Sequence, residues 1–394
     1  MNAPILREAV ILDAVRSPMG RGKPGGALSS VHPVELLAQV LTAVVARTGI
    51  DPGTVDDVLV GCVGQAGEQS ATPGRMAWLA AGFPASVPSV TIERKCGSGQ
   101  QALDFAVQGV VAGAYELVLV AGVESMSRVP IGSARMGADP FGPSVQARYA
   151  PGLVPQGISA DLVAQRYGLD RKALDAFAAR SHARAARADF AREIVPITTP
   201  DGTVVRVDET IRPQTTVDGL AELRCAFATP EWRERFGELE FRTTAGNSSQ
   251  LTDGAAALLV ASRERAEQLG LRPRARVHAS AVCGDDPLLM LTGTIPATRR
   301  VLERAGLSLA EIDHIEVNEA FASVPLAWQA ELGADAERLN PRGGAIALGH
   351  PLGASGCRLL TTMLHALEDD GGRWGLQTMC EAGGMANATV LERL

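Results

Sequence analysis

Short apolar runs alternate with longer amphipathic segments along most of the chain. The runs VDDVLVG, YELVLVAG and IDHIEVN have the length and composition of buried strands, and each is separated from the next by helix-like sequence. This alternation predicts βαβ units with buried, mostly parallel strands. Two further strands are predicted in VPSVTIE and in the N-terminal MNAPILREAVILDAVRSP. The pattern therefore predicts an α/β protein.

A duplicated pattern divides the chain into two halves. Residues 47–60 (RTGIDPGTVDDVLV) return as residues 304–317 (RAGLSLAEIDHIEV), an offset of 257 positions. The same offset carries Ser98-Gly99 onto Ser355-Gly356, and both pairs open a helix-like stretch. Self-similarity at one fixed offset is the mark of a repeated architecture. The sequence predicts two related α/β halves, roughly 1–122 and 272–394.

The segment between the halves has a different character. Residues 123–158 are rich in glycine, proline and serine, and so long an irregular stretch is more often functional than a passive linker. An amphipathic helix capped by Ser159 or Asp161 is predicted next, followed by a longer helix after Asp170. Most of the arginines on this second helix are expected to lie at the surface.

Composition narrows the class of protein. At 394 residues the chain is long enough for two or three domains, and 46% hydrophobic with 21% charged residues is ordinary for a globular protein. A net charge of −7 argues against a nucleic-acid partner, which normally requires a basic surface. The 42 glycines, beside only 4% aromatic residues, indicate tight turns and close approaches of backbone segments.

The expected location is the cytoplasm. No apolar run approaches the roughly 18 to 20 residues that span a bilayer, and acidic residues interrupt the N-terminal apolar stretch where a signal peptide would have its core. The six cysteines are scattered without a C-x-x-C pair, which indicates neither a disulfide framework nor a zinc site. Any functional cysteine is therefore predicted to be a free thiol.

Four glycine-flanked positions could carry chemistry. Cys96 lies between a predicted strand and a helix opened by Gly-Ser-Gly, where the helix dipole and free N–H groups favour a thiolate. His350, in NPRGGAIALGHPLGASG, is the type of residue that activates a cysteine. Cys380 and Asn318 each follow an apolar strand, and the carboxyl ends of strands are where open α/β sheets build sites. Each residue taken singly could instead be structural.

A nucleotide-binding function fits these glycine-rich segments poorly. GSGQQA lacks the third glycine of a dinucleotide fingerprint, and GRGKPGG does not match the phosphate-loop pattern. A dehydrogenase or an NTPase is therefore not expected.

Taken together, the motifs resemble those of one enzyme family. They occur in the order ERKCGSGQQA, GVESMS, AGNSSQLTDGAA, NEAFA, GGAIALGHPLGASG and CEAGG. As a set they resemble the thiolase family, from Val10 nearly to the C-terminus. The resemblance implies the thiolase fold: two duplicated βαβαβαββ halves in a five-layer αβαβα arrangement with an inserted loop domain. The implied domains are 1–122 plus 249–271, the loop domain 123–248, and 272–394.

The resemblance also implies catalytic roles. Cys96 would attack the 3-keto carbon of a 3-oxoacyl-CoA to form an acyl-enzyme, and His350 would polarise its thiol. Cys380 would be the general acid and base for the acetyl-CoA enolate. Asn318 would hold a water that forms one oxyanion hole with His350. The backbone N–H groups of Cys96 and Ala382 would form the other.

Binding roles follow from the same resemblance. Ser249 would lie beside the pantetheine of CoA and Arg212 near its adenine, while Met290 and Phe321 would line the acyl pocket. CoA is then a substrate, and no cofactor or metal is implied. A homodimer is expected, which could pair into a dimer of dimers.

Three departures from the family pattern bear on the substrate. The family's usual C-x-G-G-G is C-E-A-G-G here, so Ala382 replaces a glycine. Gln156 stands where short-chain biosynthetic members have methionine. The family's M-G-x-G-P segment is replaced by Met290-Leu-Thr-Gly-Thr294. The last two changes favour a degradative thiolase acting on longer or bulky, steroid-like acyl chains.

Three other functions stay open. A biosynthetic acetoacetyl-CoA thiolase would use the same residues. A decarboxylating condensing enzyme uses one cysteine with two histidines or a histidine and an asparagine, and Cys380 argues against it. A non-catalytic acyl-CoA-binding protein would have no need of the four reactive groups.

Overall fold

The computed structural model describes residues 7–394 of the chain. Its strands are β1 (Ala9–Arg16), β2 (Gly20–Arg21), β3 (Asp57–Gly61), β4 (Ser89–Ile92), β5 (Leu117–Ser125), β6 (Ile197–Thr198), β7 (Val204–Val205), β8 (Thr252–Ser262), β9 (Ala275–Gly284), β10 (His314–Val317), β11 (Trp374–Glu381) and β12 (Met385–Arg393). Its helices are α1 (Pro33–Thr48), α2 (Pro73–Ala80), α3 (Ser98–Val111), α4 (Gly142–Arg148), α5 (Gln156–Arg166), α6 (Arg171–Ala185), α7 (Val217–Ala221), α8 (Pro230–Arg235), α9 (Arg263–Gln268), α10 (Thr294–Ala305), α11 (Ser323–Leu332), α12 (Ala345–Leu348) and α13 (Ser355–Asp370).

The main sheet consists of two halves with the same strand order. One half runs β4-β3-β5-β8-β1 and the other runs β10-β11-β12-β9. A single bridge between Ile315 and Leu339 lies where the second half would have its fifth strand. The halves meet in a short antiparallel pairing of β1 with β9, at Val10–Arg276 and Ile11–Ala275.

Helices and sheet halves alternate in five layers, which confirms the predicted thiolase fold. The layers are α1 with α2, the first half-sheet, α3 with α13, the second half-sheet, and α10 with α11. Each interface between layers has its own apolar core. Between the half-sheets, Leu103 of α3 and Leu360 of α13 pack with Leu258 of β8 and Leu391 of β12.

The predicted duplication is confirmed by the positions at which elements begin. The strands β3 and β10 begin 257 residues apart, as do the central helices α3 and α13 and the strands β5 and β11. The expectation of mostly parallel strands is wrong for the sheet as a whole. Only β4, β3 and β5 and the pair β10–β11 run parallel within the described chain, because the later strands of each half return as antiparallel neighbours.

Glycines allow the two central helices to approach each other at their N-termini. A Cβ on Gly356 would lie 2.1 Å from the backbone nitrogen of Gln100, and one on Gly99 would lie 2.8 Å from the carbonyl oxygen of Gly353. A Cβ on Gly122 would lie 2.4 Å from that same oxygen. No side chain fits at such distances, so these glycines are required by packing.

The inserted segment, the loop domain, differs in one detail from the prediction. The helix α5 begins at Gln156, so Ser159 and Asp161 lie inside it rather than at its cap. Both side chains have tertiary partners instead: Ser159 Oγ donates to the carbonyl of Leu288, and Asp161 Oδ1 accepts from the amides of Arg242 and Thr243. The second helix, α6, is capped by Asp170 as predicted and ends at Ala185.

The strand after the loop domain rejoins the first half, where β8 lies between β1 and β5. The domain boundaries themselves stay a prediction.

Among residues 7–394, no helix is long and apolar enough to cross a membrane.

Candidate active site

Cys96 lies at a sharp turn between β4 and α3. Lys95 has the left-handed φ of 48°, and Gly97 forms the N-cap of α3, so the chain turns abruptly on either side of the cysteine. The side chain is buried with Leu359 and Met379, and Leu352 packs beside them. The structure thus places Cys96 between a strand and a helix, as the sequence predicts, and its role as nucleophile stays a prediction.

The resting Cys96 is a thiol, contrary to the thiolate expected from the helix dipole. Burial, followed by the nearby carboxyl of Glu381, raises the pKa of Cys96 to about 12. The N-terminus of α3 favours the anion, but desolvation in this apolar pocket outweighs it. A base must therefore remove the proton during the reaction.

His350 is held by Gln250 and Thr252, at the start of β8. Its amide donates to the carbonyl of Gln250 and to Thr252 Oγ1, each at 3.0 Å. Gly349, with φ of 91°, makes this approach possible, because a Cβ there would lie 2.2 Å from Thr252 Oγ1. The glycines around His350 thus let its loop pack against Thr252.

The hydrogen bonds of Ser355 determine the tautomer of His350. Ser355 Oγ donates its only proton to the carbonyl of Pro351 at 2.8 Å, so it accepts from His350 Nδ1–H at 2.6 Å. Nε2 then carries a lone pair. Burial, followed by the charge of Arg358, lowers the pKa of His350 to about 3. The neutral ring therefore offers Nε2 as a proton acceptor.

Asn318 directly follows β10 and faces the imidazole. Its Nδ2 lies 3.5 Å from His350 Nε2, and it is fully buried. Its Oδ1 has no hydrogen-bond partner within residues 7–394. An amide with a free buried oxygen can hold a water, which is the role that the resemblance implies.

Cys380 lies near the end of β11 as a buried thiol. Burial, followed by the nearby Cys96 and Glu381, raises the pKa of Cys380 well above its usual range. The turn after it holds Gly383 and Gly384 in left-handed conformations, with φ of 93° and 77°. Ala382 is not among the residues with positive φ. Alanine is therefore tolerated there, and the N–H proposed for the oxyanion hole is retained.

Two buried carboxylates join the catalytic loops to the rest of the molecule. Glu124 accepts from the amides of Val63, Gly64 and Gly353 and from Gln69 Nε2, which ties the loop after His350 to the other half of the chain. Glu319 accepts from Ser181 Oγ, Asn340 Nδ2 and the amide of Ile346. Burial raises the pKa of both carboxyls.

The residues predicted to bind CoA lie on neighbouring segments. The amide of Ser249 donates to the carbonyl of Ala320 at 2.9 Å, beside Asn318. The exposed Arg212 donates from Nη2 to Gln250 Oε1 at 3.0 Å. Gln250 Nε2 in turn donates to carbonyls of the segment before His350, at Ile346 and Ala347.

The predicted acyl-pocket residues share one apolar cluster with Cys380. Met290 is buried there, and Phe321 and Ala382 pack at its margin. The ring of Phe321 meets Phe227 of the loop domain edge to face, with centroids 6.4 Å apart. The cluster therefore has one wall from the second half and, through Phe227, one from the loop domain.

The supporting residues were not predicted from the sequence. Ser355 and Glu124 lie within quoted motifs, GGAIALGHPLGASG and GVESMS, but nothing in those motifs names their partners. Serine five positions after a candidate histidine was the available signal for Ser355. Glu124 offered none, because its partners lie in three distant segments.

Comparison with known proteins gives consistent results. Residues 9–264 match the model of the thiolase N-terminal domain, and residues 271–393 match that of the thiolase C-terminal domain. The steroid 3-ketoacyl-CoA thiolase FadA6 of Mycobacterium tuberculosis is 44% identical, over 99% of this chain and 95% of that protein. The beta-ketoadipyl-CoA thiolase of Pseudomonas aeruginosa is 45% identical, over 98% of this chain and 100% of that protein.

Further similarity comes from another bacterial relative and from a solved structure. The 3-ketoacyl-CoA thiolase FadA of Escherichia coli K12 is 43% identical, over 99% of this chain and 100% of the relative. A crystal structure of the Bacillus anthracis acetyl-CoA acetyltransferase covers all of both chains, with a TM-score of 0.88 and 36% identity.

Proposed function

The chain belongs to the thiolase family and is an acyltransferase; from this premise we propose that it cleaves 3-oxoacyl-CoA with CoA through an acyl-enzyme on Cys96. The products are acetyl-CoA, or a related short acyl-CoA, and a shortened acyl-CoA. Two pairs of buried groups support this most directly: Asn318 lies 3.5 Å from a neutral His350, and Cys96 lies close enough to Cys380 to raise its pKa. Leu352, two residues after His350, packs with Cys96, and the amide of Asn318 donates to the carbonyl of Thr378, two residues before Cys380.

The first half of the reaction forms the acyl-enzyme. His350 Nε2 takes the proton of Cys96, and the sulfur attacks the 3-keto carbon of the substrate. The bond between C2 and C3 breaks, and its electron pair leaves as the enolate of acetyl-CoA. Cys380 protonates that enolate, a role that suits a thiol whose raised pKa keeps it protonated.

The second half transfers the acyl group to CoA. The Cys380 thiolate removes the thiol proton of CoA, and the CoA sulfur attacks the acyl carbon. The bond to Cys96 breaks, and its electron pair returns to the sulfur, which recovers its proton from His350. All atoms and charges are restored, and the sequence of steps needs no metal or redox cofactor.

Two sets of fixed donors stabilise the oxygens that become negative. A water held by Asn318, together with the protonated His350, forms one set. The amides of Cys96 and Ala382 form the other. A donor of this kind typically lowers a barrier by about 3 kcal/mol because it needs no reorganisation when the charge develops.

We propose that Ser249 contacts the pantetheine of CoA, that Arg212 lies near its adenine, and that Met290 and Phe321 line the acyl pocket. Gly157 lets the ring of Phe227 pack against α5, because a Cβ there would lie 2.0 Å from that ring. The departures at Gln156 and at Met290-Leu-Thr-Gly-Thr294 support long or bulky acyl groups as substrates. The degradative direction is consistent with the relatives named 3-ketoacyl-CoA thiolases, and the biosynthetic alternative is not favoured.

A homodimer is part of the proposal. The edge strand β4 has a half-exposed apolar residue, Val90, and the flanking helices expose Met76, Leu79 and Phe105. An apolar strand edge is a template for pairing with another chain. Light scattering in solution should give twice the monomer mass or a multiple of it, and a monomer would contradict the proposal. The cytoplasmic location stays a prediction.

Thiolysis of 3-oxoacyl-CoAs of increasing bulk tests the function. The wild type should turn the substrate over repeatedly only with CoA, and Cys96→Ala should lose at least about a thousandfold in rate. Cys225→Ala removes a half-buried thiol in the loop domain and is the matched control. Without CoA, mass spectrometry should find the acyl group on Cys96. Unchanged thiolysis in Cys96→Ala would refute the mechanism, and binding without acylation would favour the non-catalytic alternative.

A further inference from the structure

Gln156 places an unused amide donor beside the nucleophile. It is the first residue of α5, after the N-cap Pro155, and its Nε2 is buried without a hydrogen-bond partner in the described part of the chain. Its side chain interacts with the thiol of Cys96. A buried amide N–H without a partner is costly, so it normally remains only where another state of the site uses it.

The surroundings of Cys96 otherwise offer little support for a negative sulfur. Glu381 of β11 and Glu124 of β5 both raise the pKa of Cys96, whereas the backbone N–H of Cys96 itself and then the side chain of Gln156 lower it. Cys380 is a neutral thiol, and His350 is neutral until it takes the proton. Helix N-termini help: α3 begins two residues after Cys96, and α5 begins at Gln156 itself. Within residues 7–394, Gln156 is thus the one neutral side-chain donor among the groups that lower the pKa of Cys96.

We propose that Gln156 is a further catalytic residue, whose Nε2–H donates a hydrogen bond to the Cys96 sulfur in its thiolate state. The inference rests on the proposed function of Cys96 as nucleophile. The bond strengthens when His350 takes the thiol proton, and it weakens when the sulfur becomes part of a thioester, which is a poor acceptor.

Its largest effect falls on the transfer of the acyl group to CoA. In that step the bond between the acyl carbon and Cys96 Sγ breaks, and the electron pair moves onto the sulfur before His350 returns the proton. A donor already aimed at the sulfur stabilises this charge as it develops. Gln156 therefore assists both the formation of the thiolate and its departure from the acyl-enzyme.

Methionine at this position separates the shape of Gln156 from its hydrogen bond. Gln156→Met keeps the length of the side chain and removes the donor. Gln165→Met makes the same change on the exposed side of the same helix and is the matched control. Gln156→Glu, of nearly equal size, replaces the donor by a carboxylate that repels the thiolate. Thermal unfolding of all variants reports whether each is folded.

Alkylation of Cys96 by iodoacetamide, followed on its own peptide by mass spectrometry from pH 7 to 10, measures the thiolate directly. Hydrogen bonds to charged groups support an expected fall of about tenfold in the rate at pH 8 for Gln156→Met. The CoA-dependent discharge of isolated acyl-enzyme should slow by about the same factor. Gln156→Glu should be slower still, and Gln165→Met should match the wild type.

The outcomes separate this inference from the proposed function. If Cys96 is acylated and discharged at the wild-type rate in Gln156→Met, with an unchanged pH profile, the role of Gln156 is refuted and the function stands. If Cys96 is never acylated in the wild type, the proposed function fails and this inference with it. Should Gln156→Met not fold, Gln156→Glu carries the same test.

Discussion

Ser355 controls which nitrogen of His350 can accept a proton. Because its hydroxyl proton is directed at Pro351, it can only accept from Nδ1, and Nε2 is left as the base. The same contact orients the ring toward Asn318. A single hydroxyl at the start of α13 thus determines both the tautomer and the direction of the His350 imidazole.

Removing that hydroxyl should slow catalysis without unfolding the protein. Ser355→Ala should lower kcat by about tenfold or more, because Nδ1 loses its hydrogen-bond acceptor, so the ring loses both its orientation and its preference for the tautomer with a free Nε2. Ser323→Ala is the matched control, since Ser323 is also buried at the first position of a helix but its Oγ has no partner in the described chain. Equal kcat in both variants would contradict the role of Ser355.

At this scale the sequence offers candidates for the reactive groups but not for the residues that support them. Cys96, His350, Cys380 and Asn318 lie in glycine-flanked motifs that could be found by inspection. The charge state of Cys96 could not be predicted, because it depends on burial and on Glu381, which is brought close only by folding. The role of Glu124 could not be predicted either, because Gly353, whose amide donates to it, lies 229 positions away along the chain.

At the scale of elements, Arg16 fastens the loop domain to β1. Its guanidinium is fully buried and pairs with Glu193 at 2.5 Å and with Asp208 at 2.7 Å. Both carboxylates belong to the loop domain, and the ring of Phe190 lies 5.0 Å from the guanidinium carbon. The end of a central strand therefore anchors the loop domain to the first half-sheet.

Removing the ion pairs of Arg16 should strongly lower the free energy of unfolding. Arg16→Met leaves two buried carboxylates without a partner, which typically costs about 3 to 5 kcal/mol. The free energy of unfolding from urea titration should fall accordingly. Arg299→Met removes an exposed pair with Glu331 and should leave stability nearly unchanged. A similarly small loss for Arg16→Met would show that the buried pairs are not an anchor.

Element boundaries were predictable only where local chemistry sets them. Asp170 caps α6 as its sequence predicts, because its side chain accepts from the amide of Ala173 three residues on. The start of α5 was missed because Ser159 and Asp161, good caps by type, are used in contacts with Leu288, Arg242 and Thr243. Tertiary partners override propensity in such cases.

At the scale of the whole molecule, the contact between the N-termini of α3 and α13 holds the two halves together. Gly356→Ala would force a methyl group to within 2.1 Å of the Gln100 amide and should destabilise the protein by about 1 to 3 kcal/mol or more. Gly237→Ala, where the nearest atom is 3.9 Å away, is the control. Equal melting temperatures for the two variants would contradict this account.

The duplicated architecture was the most predictable feature at this scale. One offset in the sequence located both central helices and two pairs of strands, because each half repeats the same element order. The antiparallel strands were not predicted, since the direction of a buried strand is not recorded in its own residues. It is set by the connection that precedes it, and the loop domain makes one of these connections unusually long.

The glycines at this contact also explain why a scaffold with two equivalent halves contains a single reaction centre. The offset that relates the halves places Gly353 opposite Cys96 and Gly61 opposite Asn318. A Cβ on Gly353 would lie 2.6 Å from Cys62 Cα, and one on Gly61 would lie 2.5 Å from the nitrogen of Gly99. There is therefore no room for a cysteine side chain at position 353 or for an asparagine side chain at position 61. At each of these two equivalent positions, one half carries a candidate catalytic side chain, and the other half carries the glycine that lets the two halves pack closely.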